Sequence, residues 1–201
     1  MDSAAPAAQE RARAEREQPD DARLIAESGD APERFGAVFD RHAPAIHGYI
    51  ARRLGRDAAD DLVAETFLVA FSRRDRYDWN QPSARPWLYG IATRLISRHR
   101  RDEVRFFRAI ARSGIDPAAE PVADEGARRA DARMLRQRLA GALAALSAAD
   151  RDALLLVADG LSYQEAARAL GVPPGTLSSR AARARRHVRV ALGGVNPADE
   201  S

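Results

Sequence analysis

The chain has no cysteine among its 201 residues, which excludes disulfide bonds, zinc fingers and thiol catalysis. Lysine is absent too, so all 32 basic residues are arginine, a compositional bias to which no mechanism attaches. No apolar run approaches membrane-spanning length, and the opening stretch MDSAAPAAQERARAEREQPDD lacks the apolar centre of an export signal. The expectation is a cytoplasmic protein without membrane insertion. A phosphate-binding loop and a nucleophile motif are missing as well. His42 and His47 are five residues apart, while His99 and His187 stand alone on arginine-rich stretches, so no metal spacing arises. These absences point away from an enzyme and from any metal or cofactor.

What is present is apolar content sufficient for one ordinary domain or two small ones, with an uneven distribution of charge. The net charge of +3 does not by itself suggest a nucleic-acid partner. Its placement does. Residues 94–112 carry seven arginines against Asp102 and Glu103, and residues 180–189 carry five with no acid, whereas residues 1–33 and 113–125 lean acidic. Two basic patches divided by an acidic connector suit two contacts on one polyanion.

The most specific segment is LSYQEAARALGVPPGTLSSRAARARRHVRV, residues 161–190. Leu161, Ala166, Ala167 and Leu170 give a first helix an apolar stripe, Gly171 supplies a left-handed stop, and Pro173 or Pro174 opens a second helix. In that second helix Leu177, Ala181, Ala184 and Val188 form a buried seam. The opposite face holds Ser178, Ser179, Ala182, Arg183, Arg186 and Arg189. An apolar back with small and polar residues near the helix start, flanked by arginines, is what a helix-turn-helix DNA reader needs.

No strand-period alternation is visible, so the predicted fold is all-α: two small helical domains joined by a flexible linker, the second a helix-turn-helix domain. Residues 1–31 read as a disordered tail, and 32–112 as the first domain. Residues 113–127, around SGIDPAAEPVADEG, read as the linker, 128–192 as the second domain, and 193–201 as a tail. In the first domain one helix runs to Gly55, a second spans about 57–74, and a third is expected as a single long helix from Pro86 to about Arg112.

On the helix of residues 57–74, Leu62, Val63, Thr66, Phe67, Ala70 and Phe71 fall on one side, and Asp61, Ala64, Glu65 and Leu68 on the other. A leucine framed by carboxylates suits protein docking. A metal or acid/base role for the same acids is the weaker idea, because the helix dipole explains carboxylates in first turns. The third helix is expected to bury Leu88, Ile91, Ala92, Leu95, Ile96, His99 and Phe106. Its open face would hold Gly90, Thr93, Arg94, Ser97, Arg101 and Arg108, beside a loop carrying Tyr77 and Trp79. Aromatic rings beside guanidinium groups suit unpaired bases, while Trp87 is assigned to the core.

Four phrases in order, FGAVFDRHAPAIHGYIARRLG, DAADDLVAETFLVAF, RPWLYGIATRLISRHRR and LAALSAADRDALLLVADGLSYQEAARALGVPPGTLSSRAARAR, resemble the extracytoplasmic-function group of bacterial RNA polymerase sigma-70 factors over residues 35–108 and 135–190. The resemblance implies core RNA polymerase and promoter DNA as partners, and admits an anti-sigma factor. It implies polymerase docking through Asp61, Glu65 and Leu68, and minus-10 recognition and melting through Tyr77, Trp79, Thr93, Arg94, Ser97 and Arg101. Minus-35 binding would fall to Ser178, Ser179, Arg180, Ala182, Arg183 and Arg186. Three positions depart from the family pattern. Arg94 stands where Asn is common, Ala64 replaces a usual Gln, and Ser178 follows GTL where a basic residue is frequent. The alternative is a stand-alone helix-turn-helix regulator binding operator duplex, which would have no use for the basic, aromatic-flanked helix after residue 86.

Overall fold

A computed structural model describes residues 20–116 and 126–194. Among the described residues there are helices and turns and no strand. Helix α1, Asp21–Glu27, starts where the Asp20 side chain accepts the Arg23 amide at 2.8 Å, and it buries Leu24 and Ile25 in the core. The fold therefore begins before Pro32, and residues 20–31 of the expected tail are structured. An apolar pair placed one turn after a side-chain cap gains more from burial than a seven-residue helix loses in ordering. Residues 1–19 of that tail, 117–125 of the expected linker and 195–201 of the C-terminal tail lie outside the described residues.

Helix α2, Gly36–Leu54, buries Val38, His42, Ile46, Tyr49, Ile50 and Arg53, and it continues through Pro44. Gly55, at φ +91°, ends it and turns the chain into α3, Arg56–Ser72. Only a residue without a Cβ takes that conformation cheaply. Helix α3 buries Leu62, Val63, Thr66, Phe67 and Ala70 as its periodicity predicts, with Phe71 half-buried edge-on against Phe35.

The single helix expected over 86–112 is two: α4, Arg85–Arg98, and α5, Arg100–Ser113. The chain leaves helical geometry at His99, where the amide turns back to the Ile96 carbonyl at 2.8 Å. This break changes the phase of the wheel, so α5 buries Glu103, Phe107 and Ile110. His99 is exposed and Phe106 only half-buried, contrary to expectation. Gly114, in the left-handed conformation, stops α5.

Helix α6, Gly126–Ala145, packs along α5. Helix α7, Ala148–Ala158, starts at Ser147, whose hydroxyl accepts the Asp150 amide at 3.2 Å. The last pair is α8, Tyr163–Leu170, and α9, Pro174–Ala191. A capping box between Ser162 and Glu165 fixes the start of α8, and Gly171 at φ +64° provides the turn into α9. Leu177, Ala181 and Ala184 form the buried back of α9, as predicted. The two helical parts share one continuous apolar core, which runs from Leu24 and Ile46 through Leu88 and Ile96 to Leu156, Ala166 and Leu177. A smaller cluster of Phe107, Leu143, Leu146 and Ala184 closes the other end.

Candidate nucleic-acid interface

Three exposed faces come from the elements the sequence singled out. On α3, Asp61 and Ala64 are exposed and Leu68 is 68% exposed. Glu65 is part of this face but is not free, because Arg98 on α4 donates to its Oε1 at 3.0 Å. Water on one side and the Leu62–Phe67 core on the other leave this apolar side chain standing on an acidic surface.

The second face is the loop before α4. Its two aromatic residues separate: Trp79 is exposed, whereas Tyr77 is buried. The Tyr77 hydroxyl donates to the Gln81 carbonyl at 2.6 Å, and its ring meets Trp79 and Trp87 edge-on at 5.7 and 5.1 Å. Burial pushes the Tyr77 phenol well above its ordinary range, so it stays protonated. Tyr77 is thus a wall behind the loop rather than an open stacking platform, which corrects the expectation. A buried ring with its hydroxyl satisfied locally gains more by packing than by waiting for a base. An open cavity of about 250 Å³ lies in front, walled by Tyr77, Trp87, Arg76, Gln81 and Arg168.

Along α4, Arg94 is exposed and Ser97 half-exposed, and Arg101 is exposed at the start of α5. Thr93 is not: it is 4% exposed, and its hydroxyl donates to the Tyr89 carbonyl and meets the Tyr49 hydroxyl at 2.9 Å. Gly90 is buried as well. A Cβ there would fall 2.5 Å from the Ala169 carbonyl oxygen, so α8 lies directly on this face. The wheel treated α4 as an isolated cylinder and had no means of seeing a neighbour almost eighty residues away.

The third face is α9. Ser178, Ser179, Ala182 and Arg186 are exposed and Arg180 is half-buried. Arg183 points along the surface to the start of α7, where its Nε and Nη2 each donate to Asp150 at 3.0 Å. A planar guanidinium and a carboxylate match in this two-bond geometry, so Arg183 starts out engaged.

Two groups of residues escaped sequence reasoning. Asp21 is buried, takes hydrogen bonds from the Ala84 amide and the Arg41 side chain, and meets His42 Nε2 at 2.7 Å; its own amide donates to the Pro82 carbonyl. Burial alone would raise its pKa, yet the bonds to His42 and the Ala84 amide hold the carboxyl below its ordinary value. Helix α1 is thereby tied to both ends of the segment that leads from the aromatic loop into α4. The Asp20 cap ahead of Leu24 and Ile25 was the available signal.

The second group joins the two helical parts. Arg53 Nε donates to Glu103 Oε1 at 2.6 Å, and its other nitrogens reach the Tyr49 hydroxyl and Asp152. Arg151 Nη2 donates to Glu103 Oε2 at 2.9 Å and Nη1 to the Leu143 carbonyl, leaving Nε without a partner. Nothing in the local patterns of Arg53 and Asp152, 99 positions apart, announces their contact. Among the described residues no group of histidines and acids is arranged to hold a metal ion.

Comparison with known proteins accounts for this arrangement. The family described as Sigma-70 region 2 matches residues 38–106, and Sigma-70 region 4 matches residues 136–188. The RNA polymerase sigma factor CarQ of Myxococcus xanthus is 33% identical over 168 residues, covering 81% of this chain and 91% of its own. The chain belongs to the extracytoplasmic-function group of RNA polymerase sigma-70 factors. This sigma factor is also 31% identical to CnrH of Cupriavidus metallidurans over 84% of the chain and 92% of the relative. A solved structure of CnrH with the cytosolic domain of CnrY superposes with a TM-score of 0.61 at 26% identity, covering 88% of this sigma factor and 99% of that chain. The sigma factor RpoE of Bartonella quintana, solved in complex with the anti-sigma factor NepR, gives 0.56 at 27% identity over 80% and 98%.

Proposed function

We propose that the chain acts in the cytoplasm as a promoter-specificity subunit, directing core RNA polymerase to particular promoters and assisting DNA melting without bond chemistry of its own. The observation that carries this reading is the presence of regions 2 and 4 in order on one chain, the first with an exposed acidic, leucine-bearing face and the second with an exposed basic helix. A regulator that binds operator duplex alone has no use for the first face. No helix among the described residues is long and apolar enough to cross a membrane.

In this reading Asp61, Glu65 and Leu68 dock on the polymerase. Trp79, Arg94, Ser97 and Arg101 meet the minus-10 strand, with Tyr77 bracing the loop from behind and Thr93 joining once uncovered. An exposed indole beside arginines accepts a stacked base while the guanidinium groups follow phosphates. Arg94 only donates hydrogen bonds, unlike the Asn common in the family, so its preferred base differs from the family norm. Helix α9 enters the minus-35 major groove with Ser178, Ser179, Ala182 and Arg183 toward base edges, and Arg180 and Arg186 toward phosphates. An anti-sigma factor is the partner expected to sequester the chain.

Transcription from a random promoter library by core polymerase plus this chain tests the reading. The expected result is selection of a consensus with two elements, and weak retention of promoter duplex by the chain alone at physiological salt. Tight sequence-specific binding alone, with no polymerase-dependent transcript, overturns it in favour of the stand-alone regulator.

A further inference from the structure

The four charges between the helical parts form a closed set: Arg53 and Glu103 from the region 2 part, Arg151 and Asp152 from α7. Arg53, Glu103 and Arg151 are almost wholly buried, and the signs cancel. Twenty residues away along the interface lies a second clasp. Asp159, at the end of α7, accepts from the Tyr89 hydroxyl and pairs with Arg52, while Arg85 Nη2 donates to the Asp159 carbonyl at 2.6 Å and Nη1 to that of Gly160 at 3.3 Å. A third contact comes from Arg168 on α8, which donates to Gln81 Oε1 in the aromatic loop. Between the clasps α8 sits on Gly90, the position at which a Cβ has no room.

We propose that these contacts are a latch: in the free chain the helix-turn-helix part is locked over the Gly90–Thr93 face of α4, and polymerase docking precedes and drives its release. The proposal rests on the function proposed above and adds an order of events to it. The docking residues on α3 are exposed in the latched chain, whereas part of the minus-10 face is covered, so polymerase can land first and the face becomes available second. Size makes release obligatory. The two promoter elements lie roughly 25 base pairs apart, about 85 Å of B-form duplex at 3.4 Å per base pair. A compact body of about 170 residues has a radius of gyration of only about 15–16 Å. With Arg168 resting on the minus-10 loop, the latched chain cannot reach both elements.

The interface is built to open rather than to be permanent. Its centre is charged, and separation exposes groups that water solvates well, in contrast to a purely apolar core.

The absence of cysteine allows a clean test. Spin labels at Asp40→Cys and Gln164→Cys, both exposed positions, report the separation of the two parts in the full chain by pulsed electron resonance. The free chain is expected to give one narrow, short distance, and core polymerase to replace it with a longer one. Asp152→Ala with Asp159→Ala should shift the free chain to longer distances. That variant should also bind a single-stranded minus-10 oligonucleotide at least tenfold more tightly than the unaltered chain. Gly90→Ala provides an independent opener that leaves every charge in place, since alanine favours the helix but collides with Ala169; it carries the distance test should the double variant lose helicity. A free chain already dominated by long distances overturns the latch, as do openers that leave the distances unchanged. Transcription by the unaltered chain is read separately, so loss of the latch and loss of the functional reading are distinguishable.

Discussion

Glu103 sits between two buried guanidinium groups, from Arg53 and Arg151, and no other acid reaches both. Removing it leaves two positive charges in a space that only Asp152 can partly neutralise. Glu103→Ala is therefore expected to cost about 3–5 kcal/mol, the range for breaking a buried pair from one side. At this chain length that corresponds to a fall of roughly 6–20 °C in the unfolding midpoint, measurable by circular dichroism; a fall under about 2 °C would show that the pair is solvated. Asp152 in the same cluster has its carboxyl pushed up by burial, only partly offset by Arg53, so the cluster is not uniformly favourable. Asp61 and Glu65 belong to the opposite regime. They are solvated, and the Glu65–Arg98 pair is an exposed contact worth under about 1 kcal/mol. Replacing both acids with arginine should abolish co-purification with core polymerase while leaving the helical spectrum unchanged, and undiminished binding would remove them from the docking surface. Arg183 is decided by its partner. If it reads a base, Arg183→Ala weakens minus-35 duplex binding by about 1–3 kcal/mol while Asp150→Ala, which frees it, does not. Equal losses in both variants, read by duplex binding isotherms, would make it a brace between α7 and α9.

At the scale of elements, α1 and the break at His99 do the most to shape the reading surface. Helix α1 holds the segment of residues 82–84 through Asp21, which Arg41, His42 and the Ala84 amide surround. Because the folded carboxyl titrates below its ordinary value, its contribution is complete above the unfolded value of about 3.9. It is lost as pH falls through the lower folded value. Hydrogen-exchange protection of the Ala84 amide should therefore persist at pH 5 and collapse in stronger acid. Asp21→Asn should lower that protection at pH 5 and remove the acid-dependent step. Protection that ignores both pH and substitution would show that the loop is held by Tyr77 and its neighbours instead. The break at His99 redirects α5 so that Glu103 and Phe107, rather than His99 and Phe106, face inward. Without it Glu103 would not meet Arg53, and the interface with α7 would lack its centre.

At the scale of the whole molecule, elements of one period and one neighbourhood were legible in sequence, and contacts between distant elements were not. The all-α class, the helix-turn-helix with Gly171 as its stop, the buried back of α9 and the division of α3 into a packed and a solvated face all follow from spacing and turn chemistry within about thirty residues. Those signals are local because helical periodicity and left-handed glycine are local constraints. Tertiary packing alone decided that Thr93 and Gly90 are covered and that Tyr77 is a wall. It also decided that Arg183 is engaged with Asp150 and that Arg53 finds Asp152 across 99 positions. A wheel assigns each helix an inside and an outside against one neighbour, and α4 has partners on both sides. The physical reason is that burial and charge pairing are pairwise in space: the sequence determines which faces are able to pack, and only the folded chain determines which of them meet.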